Sequence, residues 1–191
     1  MQRPTYSPRA LRAYLRQGGL IAYATQAVFG LGCDPWSPRG VRRLLALKRR
    51  PSHKGLIVIA ERQERLAPFH RRLTPAQQVR IQSRWPGAHT WLMPAAPRVP
   101  RSLTGRRRQP GQWPRIALRV DAHQDAAALC RHLKMALVST SANRAGQRPL
   151  QTTRACLRQF GKQVRVIPGR VKAHCRPSTI TDLMSDRVFR S

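Results

Sequence analysis

The chain has 191 residues, with 37 Lys or Arg against 7 Asp or Glu and a formal charge of +30, and 32 of the cations are Arg. A hydrophobic fraction of 41% with four Trp excludes a disordered basic tail, and no apolar run reaches the ~20 residues of a membrane helix. What remains is the expectation of a soluble, intracellular protein that meets polyanions, of a length suited to one domain burying roughly 70% of its unfolded surface.

Residues 9–17 carry apolar side chains at helical spacing and stop at Gly18-Gly19, which predicts a helix. LIAYA at 20–24 reads as a buried strand, followed by a Gly-rich loop through Gly30 and Gly32. Ser37-Pro38 supplies an N-cap and first turn for a helix to about Arg49, with Val41, Leu44, Leu45 and Leu47 on its apolar side. Pro51 ends it. GLIVIA at 55–60 is a second buried strand, and Thr74-Pro75 starts a helix to about Arg84, closed by Trp85-Pro86-Gly87. A strand over 89–95 leads into a Pro- and Arg-rich loop over 97–114. RIALRV at 115–120 is a strand and 123–134 a helix. ALV at 136–138 is a short strand feeding a polar turn from Ser139 to Asn143, and Thr152 or Thr153 caps a helix to about Phe160. Short strands near 164–168, 178–183 and 187–190 close the chain, and the few residues between them predict antiparallel pairing. The alternation predicts one α/β domain over 1–191, with a twisted, mixed, open sheet, flanking helices and a concave basic cleft.

Ligands of open α/β sheets bind beyond the carboxyl ends of strands. Thr25-Gln26, Arg119 and the segment Ser139 to Asn143 occupy that place, and the cations Lys48-Arg49-Arg50 end a helix just before Pro51. The sequence has no G-x-x-x-x-G-K-[ST], no G-x-G-x-x-G and no G-x-S-x-G. Cys33, Cys130, Cys156 and Cys175 lack the paired spacing of a zinc site, so they read as reduced thiols, and the scattered His predict no metal site. From the residues alone the chain is a basic α/β domain with a phosphate-friendly cleft.

The segments Ala24 to Gly32, Leu47-Lys48-Arg49-Arg50-Pro51, Trp85-Pro86-Gly87, Ser139-Thr140-Ser141-Ala142-Asn143 and Pro177-Ser178-Thr179-Ile180, then Val188-Phe189-Arg190, fall in one order. In that order and spacing the chain closely resembles the YrdC/TsaC family of threonylcarbamoyl-AMP synthases in their single-domain bacterial form. The resemblance implies that L-threonine, bicarbonate and ATP give threonylcarbamoyl-AMP, pyrophosphate and water, for the N6-threonylcarbamoyl modification of adenosine 37 in tRNAs reading ANN codons. It assigns Lys48, Arg50, Ser141 and Asn143 to catalysis and ATP, with Arg148 and Arg190 as further ATP-binding candidates. Thr25, Arg119, Ser139 and Ser178 would hold threonine, with Arg119 the partner of its carboxylate. Mg²⁺ is expected to travel with ATP, although no carboxylate cage is evident. The implied partners are downstream threonylcarbamoyl-transfer proteins in the cytoplasm. The 12 Arg without an acid between Glu64 and Asp121, the Arg106-Arg107-Arg108 run among them, add tRNA or double-stranded RNA. Where the family reads Pro-Thr-Glu-Thr this chain has Ala24-Thr25-Gln26-Ala27, and Ala88-His89 replaces the proline that follows Trp-Pro-Gly.

Overall fold

The structure is a computed structural model that describes residues 7–105, 113–172, 175 and 177–190. The Arg106-Arg107-Arg108 run lies outside the described residues. The strands are β1 (Ile21–Ala24), β2 (Phe29–Gly32), β3 (Ile57–Ala60), β4 (His89–Pro94), β5 (Arg115–Val120), β6 (Leu137–Ser141), β7 (Arg165–Val166), β8 (Thr179–Asp182) and β9 (Val188–Arg190). They form one mixed sheet in the order β7-β1-β2-β6-β3-β5-β4-β8-β9.

The helices start where side-chain caps satisfy free backbone N–H groups. Ser7 caps α1 (Pro8–Arg16), Ser37 caps α2 (Pro38–Lys48) and Thr152 caps α6 (Thr153–Phe160). Thr74 and Gln77 form a reciprocal capping box on α3 (Pro75–Gln82). A short helix, α4 (Arg101–Thr104), lies inside the expected loop, and α5 (Gln124–Leu133) follows β5.

Helices α1 and α5 pack on one sheet face, where Leu11, Leu15 and Cys130 bury Ile21, Tyr23, Ile59 and Leu137. The larger core, including Leu31, Val41, Leu44, Val58, Leu118 and Val138, covers the other face. Beyond α1 and α5, their face of the sheet stays open and becomes the cleft. Cys33, Cys130 and Cys156 are buried thiols, Cys175 is half-buried, and none forms a disulfide.

Three sequence expectations change. The Gly-rich loop is strand β2, paired antiparallel with both β1 and β6. Its glycines answer a packing need: a Cβ on Gly32 would stand 2.5 Å from the Val138 carbonyl and 2.8 Å from the Tyr23 ring. Strand β6 runs on through Ser141, so Ser139 to Ser141 are strand rather than turn. The last strands are not a simple antiparallel set. β7 runs parallel to β1, β8 runs parallel to β4, and only β8–β9 is antiparallel. Short links forbid parallel pairing only between successive strands, and β7 and β8 join early strands toward opposite margins of the sheet.

Candidate active site

Strand register assembles the open face. Ile57 pairs with both Ala117 and Ser139, Gly30 pairs with Ser141, and Leu92 pairs with Ala117. Side chains of paired residues share a face, and so do residues two apart on one strand. Arg115 and Arg119 therefore flank Ala117, and Ser141 follows Ser139, on that surface. These residues line a cleft of about 730 Å³ together with Thr25, Arg50, Lys54, Trp113, Ser178 and Arg190. Gly30 keeps its floor low, since a Cβ there would meet Thr25 Cγ2 at 3.0 Å.

One cationic station is Arg119 with Arg190. Arg119 Nε donates to Asp121 Oδ2 at 3.1 Å, and Nη2 donates to the same oxygen. The buried Asp121 accepts the His123 N–H through its other oxygen at 2.9 Å. Arg190 Nε donates to the Ser178 carbonyl at 2.9 Å and Nη2 to Ser178 Oγ at 3.0 Å. Ser178 Oγ lies 3.0 Å from Thr90 Oγ1. Burial lowers the Arg190 pKa and the nearby Arg119 charge lowers it further. Two guanidiniums against one carboxylate leave a net positive charge, the condition for holding a further carboxylate. Thr25 Oγ1 donates to the Val28 carbonyl at 2.6 Å, which turns its lone pairs outward as acceptors.

The second station is Arg50 with Lys54. Arg50 Nη2 donates to the carbonyls of Lys54 at 3.3 Å and Gly55 at 3.1 Å. Arg50 Nε and Arg115 Nη1 are buried and find no hydrogen-bond partner among the described residues, and an anion entering the cleft would satisfy such groups. Burial lowers the Arg50 pKa as well.

The Sua5/YciO/YrdC family model, described as "Telomere recombination", matches residues 13–191. The chain belongs to the Sua5/YciO/YrdC family. A Thiobacillus denitrificans protein named threonylcarbamoyl-AMP synthase is 48% identical over 95% of this chain and 93% of its own length. A Methylobacillus flagellatus protein of the same name is 50% identical over 95% of this chain and 98% of its own. Among solved structures, P. abyssi Sua5 complexed with L-threonine superposes with a TM-score of 0.80 at 24% identity, covering 95% of this chain. This chain spans about half of that one, 52%, and the likeness speaks to the fold.

Within this Sua5/YciO/YrdC chain, Thr25, Arg50, Arg119, Ser139, Ser141, Ser178 and Arg190 come together in the cleft. Lys48 and Asn143 stand one layer behind its wall. Lys48 ends α2 and is 4% exposed, and its ammonium donates to the Ser141 carbonyl, to the Asn143 carbonyl at 2.8 Å and to Asn143 Oδ1 at 3.3 Å. Those three acceptors use its three N–H bonds. Burial first, then the Arg50 charge, lowers its pKa to about 8. Asn143 Oδ1 also accepts from Ser141 Oγ at 2.6 Å, while Nδ2 donates to the Arg144 and Gln147 carbonyls. Arg148 is exposed and outside the cleft wall.

Sequence reasoning missed Lys54, Asp121, Arg115 and Trp113. Asp121 had a signal, an acid two residues after Arg119 that ends a long acid-free stretch. Lys54 had none, because a lone Lys beyond Pro51 has no pattern of its own.

Proposed function

We propose that the chain is a threonylcarbamoyl-AMP synthase, a nucleotidyltransferase that joins L-threonine, bicarbonate and ATP. The observation carrying this is that one cleft holds two cationic stations, Arg50 with Lys54 and Arg119 with Arg190, amid the hydroxyls of Thr25, Ser139, Ser141 and Ser178. A triphosphate needs one station and an amino-acid carboxylate the other. The names of relatives about half identical over nearly their whole length agree.

In this reading Arg119, oriented by Asp121, takes the threonine carboxylate, and Thr25, Ser139 and Ser178 offer acceptors to its amine and hydroxyl. The amine nitrogen bonds to the carbon of bicarbonate with loss of water, giving a carbamate. A carbamate oxygen then attacks the α-phosphorus of ATP as the bond to the β-phosphate bridging oxygen breaks, and pyrophosphate leaves with that electron pair. Arg50 and Lys54 steady the charge spread over the phosphate oxygens. Lys48 acts through Ser141 and Asn143, holding the end of β6 in shape. Among the described residues the cleft lining contains no carboxylate, and no cluster of metal-ligating side chains exists among them. Mg²⁺ therefore fits as a companion of the nucleotide phosphates rather than as an ion caged by protein.

The product's activated carbamoyl group suits transfer to adenosine N6 in tRNA by downstream proteins in the cytoplasm. No helix among the described residues is long and apolar enough to cross a membrane. For direct RNA contact the favourable observation is a run of exposed Arg9 and Arg16 on α1 and Arg39 and Arg42 on α2.

The deciding measurement is pyrophosphate release from ATP. It is expected to require both threonine and bicarbonate; well-folded protein that shows no threonine dependence would falsify the synthase reading.

A further inference from the structure

We propose that the Trp113 indole is the platform on which the adenine of ATP stacks, with the Arg71 guanidinium fixed behind it; this rests on the synthase reading above. Trp113 stands two residues before β5, lines the cleft, and is 57% exposed. The Arg71 guanidinium carbon lies 3.3 Å from its ring centroid and covers one face. Among the described residues, Arg71 is the cation over this ring, and the ring keeps more than half of its surface exposed.

The Arg71 backbone is itself anchored. Its N–H donates to the Pro94 carbonyl at 2.9 Å, its own carbonyl lies 2.7 Å from His70 Nδ1, and an antiparallel bridge joins His70 to Ala95. The backbone that carries the guanidinium is thus tied to the end of β4, and the guanidinium meets the ring face from there. An indole braced by a cation on one side is a preorganised stacking surface, because the purine need not order it on arrival.

Position along the sheet agrees. The Ile57–Ala117 register sets Gly55 level with Arg115, and Arg50 Nη2 donates to the Gly55 carbonyl at 3.1 Å. The phosphate station and Trp113 therefore stand at the same end of the β3–β5 pair. Leu56, Leu103 and Pro114 line the cleft there as well. Arg119 lies further along β5 toward its carboxyl end, so the base and the threonine carboxylate fall at separate places.

The test is equilibrium dialysis of the whole chain with ATP and, separately, with inorganic tripolyphosphate, which keeps the phosphates and lacks the base. Trp113→Ala is expected to weaken ATP on the order of tenfold, leave tripolyphosphate unchanged, and be largely rescued by Trp113→Phe. An unchanged ATP Kd in Trp113→Ala, or an equal loss of tripolyphosphate, overturns the proposal. The synthase reading fails separately, if wild-type protein binds ATP yet releases no pyrophosphate when threonine and bicarbonate are both added.

Discussion

Lys48 and Arg50 are two residues apart in sequence and differ in what their charges touch. Arg50 reaches the cleft, whereas every Lys48 N–H ends on Ser141 or Asn143. Arg50→Ala is expected to raise the KM for ATP by about tenfold or more, the scale of a lost charged hydrogen bond. Lys48→Ala should instead lower kcat by roughly a hundredfold with a modest KM change, since small misplacement of reacting groups costs on that order. Steady-state kinetics on both variants separates the roles, and identical KM effects would refute the distinction. The motif residues themselves were plain in the sequence, but the destination of the Lys48 ammonium was not, because it depends on a carbonyl pair about 95 residues away. The same ammonium sets a pH dependence. Its pKa falls from 10.5 to about 8, so kcat should decline as pH rises through about 8 and the charge is lost. Stability moves the other way on this account. A lysine whose folded pKa is lowered costs stability while charged in the fold, and that cost fades as pH climbs from about 8 toward 10.5. A melting temperature that fell in step with kcat over that window would contradict the assignment.

At the level of elements, helix starts were legible because Ser37, Thr74 and Thr152 cap them with their own side chains. Strand β2 was hidden, since glycine is depleted in strands and two in four residues read as a loop. Tertiary packing overrides that preference here: the β6 backbone and the Tyr23 ring leave no room for a Cβ at Gly32. Gly32→Ala is expected to destabilise the protein by about 2 kcal/mol, the usual range for overpacking, read as a shift in urea midpoint with an unchanged slope. A neutral result would mean that β6 can retreat. The end of β6 was hidden for a related reason. Ser139 and Ser141 face the cleft and need not be apolar, so the hydrophobic pattern stops at Val138 while the strand continues.

For the whole molecule, charge and alternating strands and helices were enough to read an α/β architecture, and they were not enough to place its cleft. That placement comes from register across the sheet and from α1 and α5 covering only part of one face. The +30 charge now divides. A handful of cations converge on the cleft, while Arg9, Arg16, Arg39 and Arg42 stand exposed on α1 and α2. If this second group meets RNA, affinity for a tRNA should fall steeply with salt, with a log–log slope near −0.9 for each phosphate contacted. Threonine-dependent pyrophosphate release should respond far less to the same salt, because Arg50, Arg115 and Arg119 are half-buried in the cleft. Parallel salt responses would mean that the two groups are not separable. The β8–β9 hairpin has another consequence. It delivers Ser178 and Arg190 into the cleft from the last stretch of the chain, and β7 reaches β1 across the length of the sequence. On a translating ribosome most of the sheet could pair before these strands emerge, yet the cleft would still lack one wall. A nascent chain halted before Ser178 could therefore pair most of its strands while the cleft still lacked Ser178 and Arg190.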